Sequence, residues 1–319
     1  MKIGFDIMGG DYAPAEAIKG VQMFFEQVTD PSVHLLLIGN EEAAKPHLSL
    51  LEPYQDRYTF VPAPEVIGMH EHPTKALKEK QNSSIAIGFG MLAMKKADAF
   101  ISAGNTGAMM VGAMYSVKNI DGIQRPTIAS PVPRPSGKFG LLLDVGINAD
   151  CKPENLVQFA QLGSLYVKNV YGIENPRVGL LNLGEEEGKG NILAQAAYPL
   201  LKELTDINFI GNIEGRGVFS EDVDVIVCEG FVGNVILKMA ESVHTIFTER
   251  NLSDSFLDNF NYEIYGGTPI LGINSPVIIG HGISHALAFK NMIDVARKIV
   301  AAGLMDVFKK RFAATTPVE

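Results

Sequence analysis

Short apolar runs alternate with longer helical segments along this whole chain, and that alternation constrains the fold more than any single motif. Residues 3–7, 33–38, 58–61, 99–102, 140–144, 178–183, 207–210, 223–228 and 277–280 read as strands apolar on both faces. Between them, residues 14–28, 83–96, 106–116, 153–170, 192–202, 234–250 and 284–312 carry helical or small-residue patterns. Pro14 and Pro153 stand just inside two of these helix starts, where a missing N–H leaves no bond unmade. Repeated βα units predict a three-layer α/β/α fold, a mainly parallel sheet with helices on both faces. No repeat or linker breaks the pattern, so a single domain over residues 1–319 is expected. The proline-rich stretch 126–137 reads as an irregular surface connection.

In open parallel sheets, ligands bind beyond the carboxyl ends of the strands. The strand-exit turns here share glycine and small polar residues: Asp6 to Asp11, with Gly9 and Gly10; Ser102-Ala103-Gly104-Asn105-Thr106-Gly107; Asp144 to Asn148; Gly230 to Asn234, with Gly233; and His281-Gly282. The fullest is Gly184-Glu185-Glu186-Glu187-Gly188-Lys189-Gly190-Asn191, placed between a strand and a helix. Glycine lets backbone approach a ligand closely, and a following helix aims free N–H groups at it. Lys189 adds a point charge and three donors, a set suited to an oxyanion. A solvated turn whose acids cap the helix would carry the same residues. The turn around Ser102, Asn105 and Thr106 offers hydroxyl, amide and backbone donors to a phosphate or carboxylate, or marks a close helix–sheet contact.

Several function classes are excluded or disfavoured. The first βα turn lacks the dinucleotide glycine pattern, and Gly190 follows Lys189 where a nucleotide-binding phosphate loop needs a hydroxyl. No zinc, serine-hydrolase or metal-carboxylate spacing occurs, so neither metal nor cofactor is expected. A net charge of −9 disfavours a nucleic-acid footprint. Two isolated cysteines, Cys151 and Cys228, together with the absence of a secretory or membrane-length apolar run, point to the cytoplasm.

Taken together, these motifs resemble the acyl-acyl-carrier-protein:phosphate acyltransferases (PlsX). To the turns above the resemblance adds Asn208-Phe209-Ile210-Gly211-Asn212-Ile213-Glu214-Gly215-Arg216, Tyr265-Gly266-Gly267 and Val277-Ile278-Ile279-Gly280 leading to His281, so it covers nearly the whole chain. It implies a fold related to phosphotransacetylases and to the isopropylmalate dehydrogenase group. The implied reaction is transfer of a fatty acyl group from acyl carrier protein to inorganic phosphate, in bacterial phospholipid synthesis. Lys189 and Asn234 are the implied catalytic pair. Ser102, Gly104, Asn105, Thr106 and Gly107 are expected to hold phosphate. Asp6, Gly9, Gly10, Asn148, Gly188, Gly190, Asn191, Gly233 and His281 are expected to line the substrate site. A homodimer is implied, with transient contact to a membrane glycerol-3-phosphate acyltransferase.

The segment 251–263 is shorter than the projecting helix pair of many relatives, which argues against stable membrane association. Met91, Leu92, Met94, Met109, Met110 and Met114 form a candidate acyl groove, or ordinary core. Arg125, Arg134 and Lys138 form a candidate docking patch for an acidic carrier. A coenzyme A-dependent phosphotransacylase and a non-catalytic acyl-carrier-protein sensor are the competing readings. A hydride-transferring dehydrogenase would need a dinucleotide site that the sequence lacks.

Overall fold

The computed structural model describes residues 1–313, and through them the alternation of strand and helix holds. Its first half runs β1 (Lys2–Asp6), α1 (Ala15–Gln27), β2 (His34–Gly39), α2 (Glu41–Ala44), β3 (Tyr58–Pro62), α3 (Pro73–Glu79), α4 (Ser84–Ala93), β4 (Ala99–Ser102), α5 (Thr106–Gly112), β5 (Thr127–Pro133) and β6 (Phe139–Leu143). The second half runs α6 (Pro153–Tyr166), β7 (Arg177–Asn182), α7 (Ile192–Lys202), β8 (Asn208–Glu214), β9 (Val225–Val227), α8 (Gly230–Glu249), α9 (Tyr262–Tyr265), β10 (Gly267–Leu271), β11 (Val277–Gly280), α10 (Ala286–Ala301) and α11 (Leu304–Ala313). These elements form two compact units, Met1–Asn119 with Tyr262–Met305, and Ile120–Asn261 with the residues from Asp306 onward.

In the first unit the strands are ordered β3-β2-β1-β4-β11-β10, all parallel except β10. Register places the helices. Gly4 pairs with Phe100, so both point to one face, while Phe5 points to the other. Phe100 meets Phe89 of α4 edge-on at 5.1 Å, and Phe5 meets Phe289 of α10 at 5.6 Å. α4 and α10 therefore cover opposite faces, which is why these strands are apolar on both sides.

The second unit orders its strands β5-β6-β9-β7-β8, parallel except β5. β5 corrects an expectation: the stretch read as an irregular surface connection is a fully buried strand antiparallel to β6. The ladder ends at Arg134 N to Lys138 O and Val145 N to Ile128 O. Even-numbered residues thus bond to β6, and Pro131 and Pro133 fall where β6 asks for no N–H. Two smaller differences concern helices. Pro14 is the cap of α1 rather than its first residue. The long C-terminal helix is two helices, parted at Gly303 with φ of 60°.

Arg134, read as part of a docking patch, is only 3% exposed. It donates to Asp224 Oδ1 at 2.9 Å and to the Val223 carbonyl, while Arg177 Nε donates to Asp224 Oδ2 at 2.9 Å. Burial alone would push the Asp224 carboxyl up, but the bonds from Arg177 and Arg134 hold it below its ordinary value. A depressed carboxyl contributes stability that is fully present above its unfolded pKa, about 3.9, and is lost as pH falls through the lower folded value. Asp224→Asn is therefore expected to lower unfolding free energy at pH 7 by about 3–5 kcal/mol, because Arg134 is left buried without its counter-charge. Urea titrations at falling pH should show the gap between variant and wild type narrowing below about pH 4.

Candidate active site

In the second unit β6, β9 and β7 are adjacent and parallel, so their carboxyl ends lie side by side. After β6 the chain turns around the buried Asp144 carboxylate. Its Oδ1 accepts from Ile128 N at 3.0 Å, and its Oδ2 accepts from Asn148 N and Nδ2 at 2.7 and 2.8 Å. Asn148 also donates to Pro126 O, and its carbonyl accepts from Gly230 N at 2.7 Å. Asn148, expected among the substrate-binding residues, is 5% exposed with these groups committed to the protein.

α8 starts at Gly230, so Asn234 lies in its second turn and does not open the helix as the sequence suggested. Glu229 caps it, accepting from Phe231 N and Val232 N. A Cβ on Gly233 would stand 1.8 Å from the Asp144 carbonyl oxygen, so only glycine lets α8 approach this turn. The approach sets the exposed Asn234 amide beside Gly146, 3.4 Å from where a Cβ on that glycine would be. Asn234 makes no side-chain hydrogen bond among the described residues.

The turn after β7 is held by side chains that sequence reading did not single out. Asn182 Nδ2 donates to Lys189 O at 3.0 Å, Asn212 Nδ2 to Glu186 O at 2.9 Å, and Gln195 Nε2 to the carbonyls of Gly188 and Gly190. Asn182 lies inside the 178–183 strand pattern, where polarity on an apolar run was the available signal, and Asn212 lies in the observed β8 beyond the 207–210 pattern. Gly190 adopts φ of 101°. Asn191 caps α7, accepting from Ala194 N at 2.8 Å. Two of the three acids turn to other partners: Glu185 to Arg216 at 3.7 Å, and Glu187 to Lys202 at 3.1 Å. Lys189 is exposed and forms no ion pair among the described residues. Its ammonium thus faces solvent, while its backbone is fixed.

In the first unit the exits of β1, β4 and β11 are likewise adjacent. Ser102 Oγ donates to Asp6 Oδ2 at 2.7 Å and accepts from Gly104 N at 2.9 Å. Gly9 fits between them, since a Cβ there would lie 2.5 Å from Gly104 N. Gly10 has φ of 103°, and Asp11 N reaches Gly282 O at 2.7 Å, bringing the His281 turn alongside. Burial pushes the Asp6 carboxyl above its ordinary value, against hydrogen bonds from Ser84, Ser102, Met8 and Gly9. Asn105 caps α5 through Ala108 N and donates to the carbonyls of Gly68, Met69 and Glu71. Of the expected phosphate-cradle side chains, Ser102 and Asn105 are buried in this network, while Thr106 is exposed beside Gly107. His281 packs against Tyr262, ring centroids 5.1 Å apart, and accepts from Ile283 N at 3.4 Å. The methionine set divides: Met109 and Leu92 are core, whereas Met94 and Met114 are exposed.

Cys151 lies beside the second unit's edge. Burial, reinforced by the Asp144 charge, pushes its thiol up to about 11, so it is protonated at neutral pH. Intact-mass measurement after incubation with an acyl thioester, phosphate omitted, should therefore show no acyl adduct; an adduct on Cys151 would reverse this.

Comparison with known proteins places the chain. A family described as "Fatty acid synthesis protein" matches residues 1–307. The phosphate acyltransferase of Dictyoglomus thermophilum is 43% identical over 319 aligned residues, covering 94% of each chain. That of Pelotomaculum thermopropionicum is 44% identical, covering 96% of this chain and 93% of its own. Among solved structures, a phosphotransacetylase from Streptococcus pyogenes aligns with a TM-score of 0.67 at 18% identity, covering 94% of each chain. A branched-chain phosphotransacylase from Enterococcus faecalis aligns at 0.63 and 14%, covering 94% of this chain and 99% of its own. At such identities these two show the fold alone. The chain belongs to the fatty acid synthesis protein family, whose curated relatives are phosphate acyltransferases, and it is an acyltransferase.

Proposed function

We propose that this protein transfers a fatty acyl group from an acyl-carrier-protein thioester to inorganic phosphate, giving acyl phosphate and free carrier protein for phosphatidic acid synthesis. The observation that carries this reading is Lys189, an exposed ammonium without an ion pair in a turn whose backbone is pinned, with Glu185 and Glu187 drawn to Arg216 and Lys202. Phosphate titrates near neutrality, so a substantial share is dianion and no strong base has to be generated. One phosphate oxygen attacks the thioester carbonyl carbon, the C–S bond breaks, and its electron pair leaves on sulfur, which takes a proton from solvent. The protein's task is to position the dianion and to stabilise the carbonyl oxygen as it gains charge. Lys189 supplies positive charge and Asn234 an amide donor. Gly188 and Gly190 let the turn approach, Gly233 seats Asn234, and Asn148 and Asn191 hold the surrounding backbone.

In the first unit Thr106 and Gly107 are assigned to anion binding. Gly104, Ser102 and Asn105 shape that turn, Asp6, Gly9 and Gly10 support it, and His281 borders it. The reading includes a homodimer and passing contact with a membrane glycerol-3-phosphate acyltransferase. No helix among the described residues is long and apolar enough to cross a membrane.

Donor identity is tested by running palmitoyl carrier protein beside palmitoyl coenzyme A and trapping acyl phosphate with hydroxylamine. Phosphate-dependent hydroxamate from the carrier-protein thioester is expected to dominate. Preference for the coenzyme A thioester would replace the carrier-protein assignment.

A further inference from the structure

At the carboxyl edge of the second unit, a cleft of about 530 Å³ is bordered by Asp150 and Cys151 after β6, Ile192 and Leu193 opening α7, and Glu229 and Phe231 at the start of α8. These are the same three strand exits that carry the Asp144 turn, Lys189 and Asn234. Ile192 follows Lys189 by three residues, and Phe231 precedes Asn234 by three, one helical turn away on the same face of α8. We propose that this cleft holds the fatty acyl chain of the thioester, and that Ile192 and Phe231 set the preference for chain length. The inference rests on the acyl-transfer reading above.

First turns of helices are ordinarily polar, yet here Ile192 is 89% and Phe231 66% exposed. Neither finds apolar cover of its own, although both border one cleft. The charges argue against an anionic occupant. Asp150 and Glu229 are carboxylates, and no cation borders the cleft, so phosphate and an acidic protein surface are both disfavoured there. The start of α8 is closed to an anion as well, since Glu229 already accepts from Phe231 N and Val232 N. What remains is an apolar tail whose thioester end points toward Lys189 and Asn234.

Each methylene fully removed from water contributes about fourfold to binding, and about twofold where one side stays wet. Wild-type kcat/KM is therefore expected to climb from butyryl to palmitoyl carrier protein. In Phe231→Ala and Ile192→Ser the loss should grow with chain length, reaching about tenfold or more for palmitoyl. Equal losses at every length would assign the cleft to the constant pantetheine arm and overturn the proposal, as would unchanged profiles. The chain has no tryptophan, so Phe231→Trp places a single emitter at the cleft. With phosphate omitted, palmitoyl carrier protein should shift its emission to the blue, and butyryl carrier protein should shift it far less. No shift at saturating palmitoyl carrier protein would overturn the proposal even if turnover is intact. A shift without phosphate-dependent turnover in wild type would uphold the cleft and remove the transferase reading instead.

Discussion

Lys189→Ala is expected to lower kcat about 10²–10³-fold with little change in melting temperature. The magnitude is that of removing one preorganised donor from a developing oxyanion. Stability should survive because the ammonium is exposed without an ion pair, and the turn is held through the backbone carbonyls of Glu186, Gly188, Lys189 and Gly190. Lys189→Arg should recover only part of the loss, since a planar, delocalised fork does not reproduce a compact point charge. Steady-state kinetics with phosphate varied checks both variants. Turnover within a few-fold of wild type in Lys189→Ala would remove this residue from the chemistry.

Gly233→Ala should be strongly damaging for so small a substitution. Its methyl would sit 1.8 Å from the Asp144 carbonyl oxygen and 3.0 Å from Cys228 Sγ, and neither can withdraw. Asp144 is locked through both carboxylate oxygens, and its backbone lies against β9, where Asp144 N donates to Cys228 O at 3.0 Å. α8 must then move outward by an ångström or more, carrying Asn234 with it. Overpacking of this kind destabilises by about 1–3 kcal/mol and occasionally more; with backbone as the obstacle, about 3 kcal/mol or more is expected. Whatever folds should lose about a hundredfold in kcat, the effect of a displacement of about 1 Å in a catalytic group. Gly215→Ala, where a methyl meets nothing within 4 Å, is the matched control and should change stability by no more than about 0.5 kcal/mol. Thermal unfolding and initial rates on the two variants separate a steric effect at this contact from a general intolerance of alanine.

Much of this was legible from residue order because buried parallel strands leave a strong mark. The expected spans for β4, α7 and β11 match the observed ones; glycine turns follow β4 and β11, and Asn191 opens α7. β5 was hidden by Pro131 and Pro133, which read as breakers; only the pairing parity with β6 reveals that their missing N–H groups are not needed there. Polar side chains were harder. Ser102, Asn105 and Asn148 have the composition of ligand contacts, but hydrogen bonds to Asp6, to the 68–71 loop and to Pro126 absorb them. A residue type states what a side chain can bond to, not whether the protein has already done so. Arg134 shows the same limit for charge, since its counter-ion Asp224 lies far along the sequence. Asn182, Gln195 and Asn212 were missed because their partners are carbonyls, which leave no trace in sequence.

The most direct measurement is phosphate-dependent release of free thiol from palmitoyl carrier protein, wild type beside Lys189→Ala at matched concentration. Release that saturates with phosphate, disappears when phosphate is omitted and collapses in the variant is the predicted result. Release independent of phosphate, or none from a well-folded wild type, would contradict acyl transfer to phosphate at the Lys189 turn.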